Sequence, residues 1–149
     1  MTLCSSLWLN AQNFIHPGML HTQADLDRTK AKVEAGEEPW ASAYRKLLTS
    51  PHVSLDWKAA PVEKIVRGGR TIWEPDPDNY QLAYRDAATA YQCALVWHIS
   101  GDKAYADKSV QILNAWAKTC KKVSGDTNAC LAYGLYGYPV SYTHLRAHE

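Results

Sequence analysis

The stretch DNYQLAYRDAATAYQCALVWHISGDKAYADKSVQILNAWAKTC, residues Asp78 to Cys120, decides the fold. Ala83, Ala87, Ala90, Ala94 and Trp97 fall at helical spacing on one face, widened by Tyr91, Leu95 and His98. Ala106, Val110, Leu113, Ala117 and Cys120 repeat that spacing, with Tyr105, Ile112 and Trp116 alongside. Between the two runs, Gly101 can take the left-handed conformation that ends a helix. Asp102 can accept the free backbone N–H groups that begin the next one. So short a connection makes the two helices antiparallel neighbours.

Working outward, Thr22 is expected to cap a helix from Gln23 to Ala35. Asp25 and Asp27 sit in its first turn and Lys30 and Lys32 near its end, as the helix dipole favours. Gly36 stops it and Pro39 opens a second helix at its first turn. Trp40, Ala43, Tyr44, Leu47 and Leu48 supply that helix's apolar face, and Pro51 ends it. From Pro51 to Asp78 four prolines and the Gly68-Gly69 pair interrupt any periodicity, so a long irregular connection is expected. Lys121 to Asn128 reads as a polar loop, and Ala129 to Val140 as a tyrosine-rich start of another helix. The fold class is therefore all-α, built of antiparallel helical hairpins.

Composition narrows the function. The chain has 149 residues, with 16 Lys and Arg against 15 Asp and Glu, which is not the basic excess of a nucleic-acid binder. Six Trp and nine Tyr against one Phe favour amphipathic aromatics, which suit both helix packing and sugar stacking. Cys4, Cys93, Cys120 and Cys130 have no zinc-site spacing, and no metal or cofactor is expected. Cys93 and Cys120 read as small core residues, and a Cys120–Cys130 disulfide stays open if the chain is exported. No nucleophile elbow, phosphate loop or HExxH motif occurs.

DAATAYQCALVWHISGDKAYADKSVQILNAWA resembles the helical hairpin of polysaccharide lyases of the alginate lyase family. FIHPGMLHTQADLDRTKAKVEAGEEPWASAYRKLL, with its H-P-G-hydrophobic-H-T segment and E-x-P-W, resembles the N-terminal segment of the same family. Together the two quoted stretches cover 67 of the 149 residues. The resemblance implies that residues 12–139 are the N-terminal part of an (α/α) toroid, here incomplete. It also implies β-elimination on an anionic, uronate-containing polysaccharide. In that family Asn, His and Arg neutralise the uronate carboxylate, and Tyr or His moves the proton. This sequence contains no Asn-His dipeptide; Asn79, Asn114 and Asn128, for instance, are followed by Tyr, Ala and Ala. The chain is therefore expected to lack the central catalytic set and to be inactive alone.

What remains are candidates for part of a substrate groove: Arg67, Arg70, Trp73, Tyr80, Tyr84, Arg85, Tyr136 and Tyr138. Guanidinium groups suit carboxylates and aromatic faces suit sugar rings. Arg67, Arg70 and Trp73, around the glycines of the long connection, have the composition of a lid over an anionic sugar. His98 reads as a core histidine and His16 and His21 as surface or cap residues. Asp76, Asp78 and Asp86 read as turn or capping residues, without the arrangement a glycoside hydrolase needs.

At the ends, residues 1–11 are expected to be a truncated signal peptide, implying a periplasmic or secreted location and no membrane association once it is removed. Residues 140–149, VSYTHLRAHE, resemble a translated sequencing adapter and are expected to be a non-native tail. Two other classes stay open: a non-catalytic helical carbohydrate-binding or scaffold module, and another α/α toroid enzyme, either a heparinase-like lyase or a glycoside hydrolase.

Overall fold

The computed structural model describes residues 20–130 and residue 134. The expected signal peptide, the expected tail, Tyr136 and Tyr138 lie outside the described residues. Helices α1 (Gln23–Glu34), α2 (Trp40–Leu48), α3 (Tyr80–Ser100) and α4 (Lys103–Thr119) dominate what is described. A short 3₁₀ turn spans Pro51–Val53. Two strands, β1 (Lys64–Arg67) and β2 (Lys122–Gly125), complete the set.

The local signals act as physical chemistry requires. Thr22 and Asp25 form a reciprocal capping box at the start of α1, satisfying backbone donors that have no partner within the helix. Gly101 closes α3 at φ 76°, and the Asp102 carboxylate accepts the Ala104 N–H at 3.0 Å to open α4. Asp86 meets Trp116, and Ala90 meets Ile112 and Leu113, so rising numbers on α3 meet falling numbers on α4. The pair is an antiparallel hairpin. α1 packs against both α2 and α3.

The observed core corrects several expected faces. On α4 the buried residues are Ser109, Ile112 and Leu113, whereas Ala117 is exposed. On α3 the buried face is Asp86, Thr89, Ala90, Cys93, Ala94 and Val96. On α2 the buried residue is Ala41, while Ala43 and Leu48 are exposed. Pro39 precedes α2 as its cap rather than opening the first turn.

The larger correction is the sheet. β1 lies within the stretch expected to be irregular, and β2 within the expected polar loop. They pair in parallel, with Ile65 opposite Val123 and Arg67 opposite Gly125. The connectivity explains the direction: α3 carries the chain away from the sheet, α4 brings it back, and β2 sets out beside β1. Val66 is fully buried beneath this pairing. Asn79 closes the other edge of β1. Its side chain accepts the Val66 N–H at 2.8 Å and donates to the Lys64 carbonyl at 3.0 Å. Its own N–H reaches the Val66 carbonyl at 3.1 Å.

Candidate functional site

The connection between α2 and α3 divides into two parts with different fates. The first, residues 51–60, folds onto the hairpin, and Trp57 and Ala59 pack against Ala90, Ile112 and Leu113. Asp86 fastens it there. The carboxylate accepts the Trp57 indole N–H at 2.8 Å, the Ala60 N–H at 2.8 Å and the Trp116 indole N–H at 2.6 Å. Beside it, His52 Nδ1 lies 2.9 Å from the Thr89 hydroxyl, and the His52 ring stands 4.9 Å from that of Trp57. Asp86 is therefore a buried joint inside α3, not a helix-start cap. Both of its oxygens are occupied by these donors.

The second part, residues 68–78, projects from the C-terminal end of β1. Thr71 N–H donates to the Glu74 carbonyl at 2.9 Å, and Glu74 N–H returns to the Thr71 hydroxyl at 3.0 Å, closing a four-residue turn. Arg70 N–H reaches the Asp76 carbonyl at 3.1 Å, and Asp78 accepts the Gly69 N–H at 2.8 Å. At the apex, Ile72 and Trp73 are each 88% exposed. At the base, Glu74 is buried and accepts from Lys64 Nζ at 2.9 Å and from the Ser124 hydroxyl. These two hydrogen bonds, the Ser124 one first, hold the Glu74 carboxyl down at about 2. Lys64 also pairs with Asp76.

Three of the expected site residues meet where this projection leaves the sheet. Arg67, the last residue of β1, lays its guanidinium over the Tyr80 ring at 4.7 Å. Tyr80 and Tyr84, one turn apart on α3, hold their rings 6.2 Å from centre to centre. Arg67 Nη1 is buried and has no hydrogen-bond partner among the described residues. A guanidinium donor withdrawn from water without an acceptor is costly. Asn79 builds this meeting, because its clamp on β1 brings Tyr80, the next residue, against Arg67.

The other candidates lie apart from that cluster. Arg70 and Trp73 belong to the projecting turn, and Arg70 is exposed at φ 60°. Arg85 is exposed on α3 and projects about 100° around the helix from Tyr84. Asp76 and Asp78 act within the turn, as expected of turn residues. Glu74, Asn79 and Ser124 were not singled out from the sequence. Their type at isolated positions carries no signal until β1 and β2 are known to pair.

His21 Nε2 lies 2.7 Å from the Tyr91 hydroxyl, joining the lead-in of α1 to α3. Cys93, Cys120 and Cys130 are free thiols, so Cys120 and Cys130 are not bridged. Burial pushes the Cys93 thiol up to about 11. Among the described residues no group of three His, Cys, Asp or Glu side chains could hold a metal ion. No described helix is long and apolar enough to cross a membrane. No family model, curated protein or solved structure matches the chain.

Proposed function

We propose that the chain is part of a lyase that cleaves a uronate-containing polysaccharide by β-elimination, and that it contributes a carboxylate-binding wall rather than the proton-transfer groups. The observation that carries the reading is Arg67. Its guanidinium stacks on Tyr80 and keeps a buried nitrogen without an acceptor. A planar carboxylate supplies the acceptor geometry that such a fork matches. Tyr80 and Tyr84 stand beside it, and Trp73 offers an exposed ring on the adjoining turn. Neutralising a uronate carboxylate eases loss of the C5 proton. The electron pair then forms the C4–C5 double bond as the 4-O-glycosidic group leaves with a proton.

The likeness of the hairpin and of the α1–α2 segment to alginate lyases favours this chemistry. It also favours an (α/α) toroid of which these two hairpins form the first part, and a periplasmic or secreted location. Asp86 is committed to packing and Asp76 to Lys64, which weakens a two-carboxylate hydrolase reading.

Calorimetric titration with an alginate trisaccharide, alongside ultraviolet absorbance for unsaturated product, tests the proposal. The expected result is binding without turnover, weakened at least tenfold by Arg67→Ala, in keeping with the loss of a charged hydrogen bond. Wild-type affinity in Arg67→Ala, or no binding by the unaltered chain, overturns it.

A further inference from the structure

The Thr71–Glu74 turn has an unusual composition. The centres of tight turns favour Gly, Pro, Asn, Asp and Ser, which suit both the backbone and water. Here they are Ile72 and Trp73, and both side chains stand in solvent. A floppy loop could fold such groups back onto the protein. This one is fixed from within and from below, and one residue does most of the fixing. The Glu74 main chain closes the turn in both directions with Thr71. Its side chain reaches Lys64 on β1, Ser124 on β2 and the Asp76 N–H, the last at 3.2 Å. Glu74 is 4% exposed, so it sits where a carboxylate needs several donors to persist.

We propose that Glu74 is a positioning residue, anchoring the Ile72–Trp73 apex to both strands so that Trp73 is held in place before polysaccharide arrives. This rests on the reading above that Trp73 meets the sugar chain. Glu74 itself touches no substrate. Its contribution is to settle in advance the ordering that binding would otherwise demand of the loop, which raises affinity without adding a contact. Ser124 then acts at one remove, carrying the constraint across to β2.

The experiment uses the full chain and three variants, Trp73→Ala, Glu74→Gln and Ser124→Ala. Each is titrated calorimetrically with an alginate trisaccharide well below its melting temperature. Glu74→Gln can keep its bonds to Ser124 and Asp76 but loses the charge that pairs with Lys64. The expected result is that Trp73→Ala weakens binding most, and that Glu74→Gln and Ser124→Ala each weaken it roughly three- to tenfold, the cost of ordering one side chain or a short loop. Acrylamide quenching attributable to Trp73 should fall in both anchor variants, because a loosened turn lets the 88% exposed ring fold back onto the protein.

Wild-type affinity in Trp73→Ala overturns the reading on which this rests. Weakened binding in Trp73→Ala with wild-type affinity in both Glu74→Gln and Ser124→Ala overturns the role of Glu74 alone. A lower melting temperature with unchanged affinity in the folded variants also overturns it, since that is the mark of a merely structural residue. Should Glu74→Gln not fold, Ser124→Ala decides the matter, because it removes one anchor at the strand and leaves the turn's own bonds intact.

Discussion

Trp116 on α4 donates its indole N–H to the buried carboxylate of Asp86 on α3 at 2.6 Å. Trp57 does the same to the other carboxylate oxygen from the preceding loop, at 2.8 Å. A single acid thus fixes both the hairpin's rotation and the loop laid across it. Asp86→Asn replaces one acceptor oxygen with an NH₂ group facing existing donors. We expect it to destabilise the chain by about 2–4 kcal/mol, the cost of losing charged hydrogen bonds and stranding buried donors. Urea unfolding with an unchanged slope measures it. A midpoint within error of wild type would show that the joint carries no stability.

The two indoles share one partner, so their losses should not add. Trp57→Phe and Trp116→Phe keep most of the ring and remove the donor. Each is expected to cost about 1–2 kcal/mol. The double variant is expected to differ from the sum by at least about 0.5 kcal/mol, as coupled neighbours do. Strict additivity would mean that the indole donors act independently of the shared carboxylate.

The hairpin was legible in the sequence because its determinants are local. Gly101 and Asp102 announce the turn, and the alanine spacing announces the helices. Thr22 and Asp25 likewise announce α1. The parallel sheet was not legible, because β1 and β2 are four residues each and their pairing spans the whole hairpin. Strands that short show too little alternation to read. Arg67 and Tyr80 could be nominated by residue type, but nothing in the sequence placed one on the other. That depends on Asn79, which looks like an ordinary helix cap and instead spends its side chain on β1. Asp86 misled for a related reason: a carboxylate near a helix start reads as a cap until two tryptophans are seen to converge on it.

Acid should loosen the projecting turn before it unfolds the hairpin. The Glu74 carboxyl is depressed from an ordinary 4.5 to about 2, chiefly by the Ser124 hydroxyl and then by Lys64. The stabilisation from its ionised form is whole above about 4.5 and drains away as pH falls toward 2. Asp25, held at about 2 by its bonds to Thr22, adds a similar loss at the start of α1. Stability should therefore fall between pH 4.5 and 2, and Glu74→Gln should flatten that fall. An equally steep profile in Glu74→Gln would assign the acid sensitivity elsewhere.

Gly125 joins the sheet to the proposed site. It closes β2 opposite Arg67 at φ 130°, and a Cβ there would overlap the Arg67 carbonyl oxygen. Gly101 provides a matched comparison: its φ is 76°, but a Cβ there meets nothing within 4 Å. Gly101→Ala should cost about 1–2 kcal/mol, the strain of a left-handed alanine alone. Gly125→Ala adds a collision with fixed backbone and should cost more, about 3 kcal/mol or above, by separating the ends of β1 and β2. Only the second should disturb the Arg67–Tyr80 stack, so only Gly125→Ala should weaken trisaccharide binding among molecules that remain folded. Thermal melting and calorimetric titration of the two variants side by side measure both effects. Equal stability losses, or equal affinities, would show that the strand end does not govern where Arg67 stands.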